Sequence, residues 1–240
     1  MRFYGGLYSN AGRNLHQILH SPVSWGWAIA VMTIQAWVSS HGGIEVLGGW
    51  FENLGLSREG FSSGKIWQIL SYGMLHGTWW HAGVNALFVL VIGSRIEHVA
   101  GRGAMMRVMV AGVLGGGAGH LLLGSGLLVG LSGACLALLL LQVTLSPQSR
   151  MMPLPVSGKI LGIGILVAAL ALTLINPQLG VPGLSAVGQI LVDHGLGGWF
   201  QMGHACHFGG GLAGWLYGCW ILRPRVTLQS LRRDRARREG

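Results

Sequence analysis

Hydrophobic residues in this chain occur in long runs separated by short polar clusters. Six runs approach the ~20 residues that a helix needs to cross the hydrocarbon of a bilayer. Helix-breaking pairs end two of them, Asn176-Pro177 after the fifth run and Arg223-Pro224 after the sixth. The pattern predicts an all-α membrane protein, a six-transmembrane-helix bundle, with spans at 23–39, 80–99, 104–123, 131–145, 159–175 and 203–222.

Composition agrees with a chain whose main solvent is lipid. Only 10% of the 240 residues are charged, whereas a soluble domain carries about 25%. The 42 glycines exceed the usual share of about 7%, and glycine lets membrane helices approach closely. The three cysteines, Cys135, Cys206 and Cys219, lie in apolar stretches, and their odd number implies no disulfide framework.

The polar clusters divide the chain into an N-terminal arm (1–22), a membrane domain (23–222) and a basic tail (223–240). The arm lacks the apolar core of a cleavable signal peptide, so the first run is predicted to be an uncleaved anchor. Segment 178–199 is a candidate mobile gate, because it contains no helix-long apolar run. The loop 41–79 is predicted to lie at the outer membrane interface, because it carries Trp50, Phe51, Phe61, Trp67 and Trp79 among charges, with Trp80 at its border.

Basic residues indicate the orientation of these spans. With six spans, every Lys and Arg except Arg58 and Lys65 falls on the side that holds both termini. The positive-inside rule therefore predicts cytoplasmic termini, and the short arm suits a bacterial inner membrane. The basic tail favours anionic headgroups of the lipid bilayer. No nucleic-acid partner is expected, because no binding module or interleaved aromatic residues accompany the tail.

Polar residues inside membrane spans are expensive and tend to be functional. His81 and Asn85 are four residues apart and share one helix face. Ser132 begins the fourth span and His207 lies in the first turns of the sixth. The predicted topology places all of them at the outer ends of their spans, so they could meet at one depth.

These residue types can perform acyl transfer. A serine hydroxyl becomes a nucleophile when a base removes its proton, and neutral histidine is such a base. The free N–H groups at the start of a helix, together with His81 and Asn85, could hold the oxyanion of a tetrahedral intermediate. No carboxylate lies in these segments, so the arrangement would be a Ser132–His207 dyad.

Glycines offer a way to bring the two groups together. Gly210, Gly214 and Gly218 repeat every four residues on one face of the sixth span. A smooth face of this kind allows close helix packing. If the partner is the fourth span, where Gly133 and Ala137 are four apart, the histidine reaches the serine. The alternative is generic small-residue packing with no role in chemistry.

The motifs together resemble the signatures of the rhomboid intramembrane proteases. They occur in the family's order over about residues 60–222: His76-x4-His81-x3-Asn85, Gly93-x3-Glu97-x3-Gly101, Gly130-x-Ser132-Gly133 and His207-x2-Gly210-x3-Gly214.

The resemblance implies roles for the residues that match. Ser132 would be the nucleophile and His207 the general base, with His81, Asn85 and the Ser132 N–H as the oxyanion hole. Substrates would be transmembrane helices of other proteins, cut near the outer leaflet, and no cofactor or metal is required. Five other motif residues would support the site: His76, Gly130, Gly133, Gly210 and Gly214. For His76, a direct role in the oxyanion hole is the alternative.

The chain departs from the family pattern at three positions. Gln68 follows Trp67 where many rhomboids have arginine, which removes a cation from the first loop. Leu136 stands where many have an aromatic residue that stacks on the catalytic histidine. His204 adds a histidine three residues before His207; only His207 has the Gly210 and Gly214 spacing.

Two other functions are compatible with the sequence. One is a membrane metalloenzyme, because His76–His81 and His204–His207 have spacings that can ligate metal; the His-Glu-x-x-His helix of zinc proteases is absent. The other is a catalytically inactive rhomboid relative that binds membrane helices. The sequence leaves the oligomeric state, the natural substrate and the source organism open.

Overall fold

The computed structural model describes residue 12 and residues 14–151, 156–223, 232 and 235–238. Most of the N-terminal arm and of the basic tail, including Arg2, Arg13 and Arg225, lies outside the described residues.

The described chain is mostly helical, and each predicted span coincides with a long helix. Observed and predicted ends differ by at most two residues. One helix passes through a π-helical turn at Val89–Gly93 without a break between its α-helical halves. The long helices are α1 (Pro22–Ser40), α6 (Trp79–Phe88) continued by α7 (Ser94–Ala100), α8 (Arg102–Leu123), α9 (Ser132–Leu145), α10 (Gly158–Leu174) and α12 (His204–Ile221).

Two of these helices, within the described residues, are long and apolar enough by length and composition to cross a membrane. They are Trp79–Ala100 and Arg102–Leu123. α9 and α10 are apolar but shorter. α1 and α12 have sufficient length, but serine, glutamine, histidine and glycine lower their mean hydropathy. Membrane crossing by all six helices stays a prediction.

The connecting segments contain more secondary structure than the sequence predicted. The segment 178–199, the candidate gate without a helix-long apolar run, contains the short helix α11 (Leu184–Leu191), followed by single turns at Val192–Leu196 and Gly197–Gln201. The all-α prediction also misses a short antiparallel pair, β1 (Arg150–Met151) with β2 (Val156–Ser157). The first loop folds into α2 (Gly43–Val46), α3 (Gly48–Leu54), α4 (Arg58–Ser62), α5 (Gln68–Ser71) and a 3-10 turn (Tyr72–Met74).

Glycine contacts set the distance between α12 and α9. A methyl group at Gly210 would lie 2.6 Å from the carbonyl carbon of Gly133, and one at Gly214 would lie 2.5 Å from the Cα of Ala137. The backbones therefore touch where the sequence predicted contact. The predicted pairing of the sixth span with the fourth is confirmed, and only glycine fits these positions.

A third helix, α8, packs closely against both α9 and α12, a contact that the sequence did not predict. A methyl group at Gly112 would meet Ala134 of α9 at 2.6 Å, and one at Gly115 would meet Ala213 of α12 at 2.6 Å. Gly119 likewise faces the backbone of Ala205. The three helices thus form one close-packed unit around the largest buried apolar cluster.

Charged side chains at two helix ends satisfy backbone groups that have no partner within the helix. The buried Glu97 carboxylate accepts hydrogen bonds from the Val23 and Ser24 N–H groups at 3.2 and 3.0 Å. Glu97 thus ties the end of the second span to the start of α1. At the C-terminus of α8, Arg58 donates to the Leu121 and Leu122 carbonyls at 2.8 and 2.7 Å.

Gln68, where many rhomboids have arginine, is fully buried and anchors the first loop. Its Nε2 donates to the Glu52 carbonyl at 2.9 Å, and its Oε1 accepts from the Ser57 N–H at 3.4 Å. Gly60 lies against the amide, and a methyl group there would be 2.5 Å from Oε1. A neutral amide therefore makes the loop-closing bonds without a buried cation.

We expect Gly210→Ala to destabilise the fold by about 1–3 kcal/mol, because its methyl group would overlap the Gly133 backbone. Gly164→Ala is the matched control. Gly164 is an exposed helical glycine with no atom within 4 Å of the added methyl, so propensity alone favours alanine by about 1 kcal/mol. Equilibrium unfolding in detergent measures both, and equal effects would contradict the close contact.

Gln68→Ala should lower the free energy of unfolding by about 1–3 kcal/mol, because it removes the buried amide that bonds to the Glu52 carbonyl and the Ser57 N–H. Gln189→Ala, which removes an exposed amide bonded to Asp193, is the control and should change little. A Gln68→Ala protein as stable as the control would show that these bonds do not hold the loop.

Candidate active site

Ser132 and His207 come together between the first turns of α9 and α12. The Ser132 Oγ lies 2.9 Å from the His207 Nε2, and both side chains are half-buried. The predicted contact between the two groups is confirmed. It follows from the fold, because the Gly133–Gly210 contact lies one residue beyond the serine and three beyond the histidine.

The segment that precedes Ser132 is held by the first loop. Leu128 exchanges two backbone hydrogen bonds with Leu56, at 2.8 and 3.0 Å. The Gly130 N–H donates to the Tyr72 carbonyl at 3.0 Å. These bonds fix the direction in which the chain enters α9, and with it the direction of the Ser132 side chain.

Position 130 requires glycine for two reasons: its backbone conformation, and the lack of space for a side chain. Its φ of +118° lies in a region that L-residues rarely adopt. A methyl group at this position would lie 2.5 Å from the Cε1 of His81. The glycine of the Gly-x-Ser-Gly pattern therefore makes room for the His81 ring beside the serine.

The structure places the predicted oxyanion-hole donors around this point. The His81 ring lies against Gly130, two residues before Ser132. Among the described residues, the His81 ring nitrogens and the Ser132 N–H have no hydrogen-bond partner. The buried Asn85 lies deeper, and its Nδ2 is 2.9 Å from the Nε2 of His76.

His204 takes a separate position from the candidate base. Its Nε2 bonds to the Trp199 carbonyl at 2.7 Å. Its ring meets the His207 ring edge to face, with centroids 5.8 Å apart. This contact gives His207 an aromatic neighbour, although Leu136 stands where many rhomboids have a stacking residue. Because His207 and not His204 bonds to Ser132, the geometry agrees with the choice of His207 as its partner.

Two buried thiols that the sequence analysis assigned no role lie beside the site. Cys135 donates to the Oδ1 of Asn85 at 3.6 Å. Cys206 packs against Gly133 and lies 3.7 Å from the hydroxyl of Tyr72. The sequence did offer a signal that both thiols lie near the site: Cys135 lies one turn after the serine, and Cys206 lies one residue before the histidine.

No group of three or more His, Cys, Asp or Glu side chains in the described part of the chain is arranged to hold a metal ion. The His76 and His81 rings instead contact each other edge to face, with centroids 4.9 Å apart.

Comparison with known protein families shows which family the chain belongs to. The rhomboid domain family matches residues 63–224. These residues contain every motif described above and make up most of the chain, so the protein belongs to the rhomboid family. No curated protein sequence matches the chain. The family contains intramembrane serine proteases and also inactive members.

Gly130→Ala should abolish labelling of Ser132 by a fluorophosphonate, because the methyl group would displace His81 and alanine disfavours the left-handed conformation. Gly126→Ala is the matched control. Gly126 also has positive φ, 69°, but no atom lies within 4 Å of the added methyl, so it tests the backbone cost alone. Labelling of Gly130→Ala at the control's rate would contradict the steric role.

Proposed function

We propose that this protein is an intramembrane serine endopeptidase that cleaves transmembrane helices of other proteins near the outer leaflet. The hydrogen bond of 2.9 Å between Ser132 and His207, inside a rhomboid domain, supports the proposal most directly. An inactive relative has no need to retain both groups in bonding geometry.

In the proposed reaction, Ser132 Oγ attacks the carbonyl carbon of the scissile peptide bond, and His207 Nε2 takes the hydroxyl proton. Because Nε2 accepts that hydrogen bond, the proton of the neutral imidazole resides on Nδ1. The carbonyl oxygen becomes an oxyanion held by the Ser132 N–H, His81 and Asn85.

Collapse of this intermediate breaks the C–N bond, and His207 returns its proton to the leaving amine. Water then attacks the acyl-enzyme and gives a proton to His207. The second collapse releases the carboxylic acid product and restores the serine hydroxyl. The half-buried position of both side chains is compatible with access of water to the acyl group.

The proposal includes the membrane arrangement inferred from the sequence: six spans within residues 23–222, both termini cytoplasmic and the first loop at the outer interface. Several aromatic residues of that loop are exposed, as side chains at a membrane interface would be: Trp50, Trp67, Trp79 and Trp80. In this arrangement, the active site faces the exterior of a bacterial inner membrane.

Cleavage of a model transmembrane substrate in detergent or liposomes tests the activity. We expect Ser132→Ala and His207→Ala each to lower the rate by on the order of 10³-fold or more, because the two residues act as a unit. Ser62→Ala and His16→Gln, at exposed positions away from the site, should cleave as the wild type does.

A Ser132→Ala protein that still cuts at the wild-type rate would overturn the proposal. A folded wild type that neither cuts nor reacts with a fluorophosphonate would favour the inactive helix-binding relative. Stoichiometric zinc or iron, with activity lost on chelation, would favour a metalloenzyme.

A further inference from the structure

His76 lies between the two parts of the proposed oxyanion hole. The side chain is 1% exposed. Its Nε2 is 2.9 Å from the Nδ2 of Asn85 on α6, and it accepts from the N–H of Leu131, the residue before Ser132, at 3.3 Å. One ring nitrogen therefore contacts both the amide side chain and the peptide next to the nucleophile.

The Leu131 contact fixes the protonation state of His76. A backbone N–H can only donate, so Nε2 is an unprotonated acceptor and the proton of the neutral ring is on Nδ1. A ring protonated on Nε2 would direct an N–H at the N–H of Leu131. The same constraint removes His76 from the set of oxyanion donors, because the nitrogen that faces this region carries no proton.

The tautomer of His76 in turn fixes the orientation of Asn85. An acceptor at Nε2 requires the amide nitrogen, not the amide oxygen, to face His76. The amide oxygen then faces the thiol of Cys135, which donates to Oδ1 at 3.6 Å. The amide nitrogen carries a second N–H, which remains for an oxyanion.

We propose that His76 is a positioning residue that holds Asn85 and the Gly130–Leu131 peptide, one peptide before the Ser132 N–H, in register through a single neutral Nε2 acceptor. This inference rests on the proposed function, because it assigns His76 to the oxyanion hole of that reaction. His76 also packs edge to face against His81, with ring centroids 4.9 Å apart. His76 thus contacts the side chains of Asn85 and His81 and the residue that precedes Ser132.

Substitutions that keep or remove the acceptor test this role. The side-chain oxygen of glutamine can occupy the place of Nε2, whereas leucine fills the space without an acceptor. We expect His76→Leu to lower kcat on the order of 10–100-fold with little change in KM, since a displaced oxyanion donor acts on the transition state. His76→Gln should recover most of kcat, and His16→Gln, at an exposed position, should equal the wild type.

The unfolding midpoint of each variant in detergent is measured alongside, and kinetics are run well below it. Where His76→Leu fails to fold, His76→Asn replaces it, because its shorter amide keeps polarity but cannot reach Leu131. Full kcat in the variant without an acceptor, or equal losses in His76→Gln and His76→Leu, would overturn the positioning role.

A second measurement does not depend on activity. Nitrogen-15 NMR of the labelled imidazole, assigned by comparison with His76→Gln, should show an unprotonated Nε2 and a protonated Nδ1. The opposite tautomer or an imidazolium would overturn the proposal even in an active enzyme. An inactive wild type with the expected tautomer would instead refute the proposed function while leaving the hydrogen-bond arrangement in place.

Discussion

The contact between the backbones of α12 and α9 is the constraint on which the site depends. Gly210 and Gly214 bring the helices so close that a methyl group at either position would overlap the opposite backbone. A serine hydroxyl and an imidazole have short reach, and a normal helix separation of 8–10 Å would leave little tolerance for their hydrogen bond. The contact between Gly133 and Gly210 reduces the helix separation at this point, one residue after Ser132 and three residues after His207. The packing glycines therefore lie next to the reacting residues in the sequence, because the close helix contact and the Ser132–His207 hydrogen bond form at the same place.

A second constraint acts on the chain before α9. Close helix packing fixes where α9 lies, but the direction of Ser132 depends on how the chain enters the helix. Three successive contacts from the first loop control that entry: Leu56 pairs with Leu128, Tyr72 accepts from Gly130, and His76 accepts from Leu131. The loop is itself held by Gln68 at its centre. Loss of order in the first loop would consequently reach the nucleophile through these three contacts.

The sequence predicted the long helices, the α9–α12 pairing and the Ser132–His207 contact, because hydropathy and small-residue spacing are local signals. It did not predict that α8 packs against α9 and α12 through Gly112 and Gly115, since these glycines lie in a helix without a polar motif. It also missed the short helices of the loops, where few residues share any period. The roles of Gln68, Cys135 and His76 depend on partners 16, 50 and 55 residues away in the sequence. No periodicity in a single sequence specifies such pairs, so these contacts required the structure.

The absence of a carboxylate from the three segments that carry Asn85, Ser132 and His207 has a physical basis in a site built within apolar helices. An ionised carboxylate in such a site would need strong compensation for its lost hydration. Neutral groups avoid that cost, but they stabilise a developing charge only when their hydrogens already point at it. Orientation must then be fixed by hydrogen bonds with defined donors and acceptors. The chain from Leu131 through His76 to Asn85 has this property, because the Leu131 N–H sets the tautomer of His76 and that tautomer sets the orientation of the Asn85 amide. In the proposed enzyme, fixed tautomers and amide orientations direct neutral donors at the developing oxyanion.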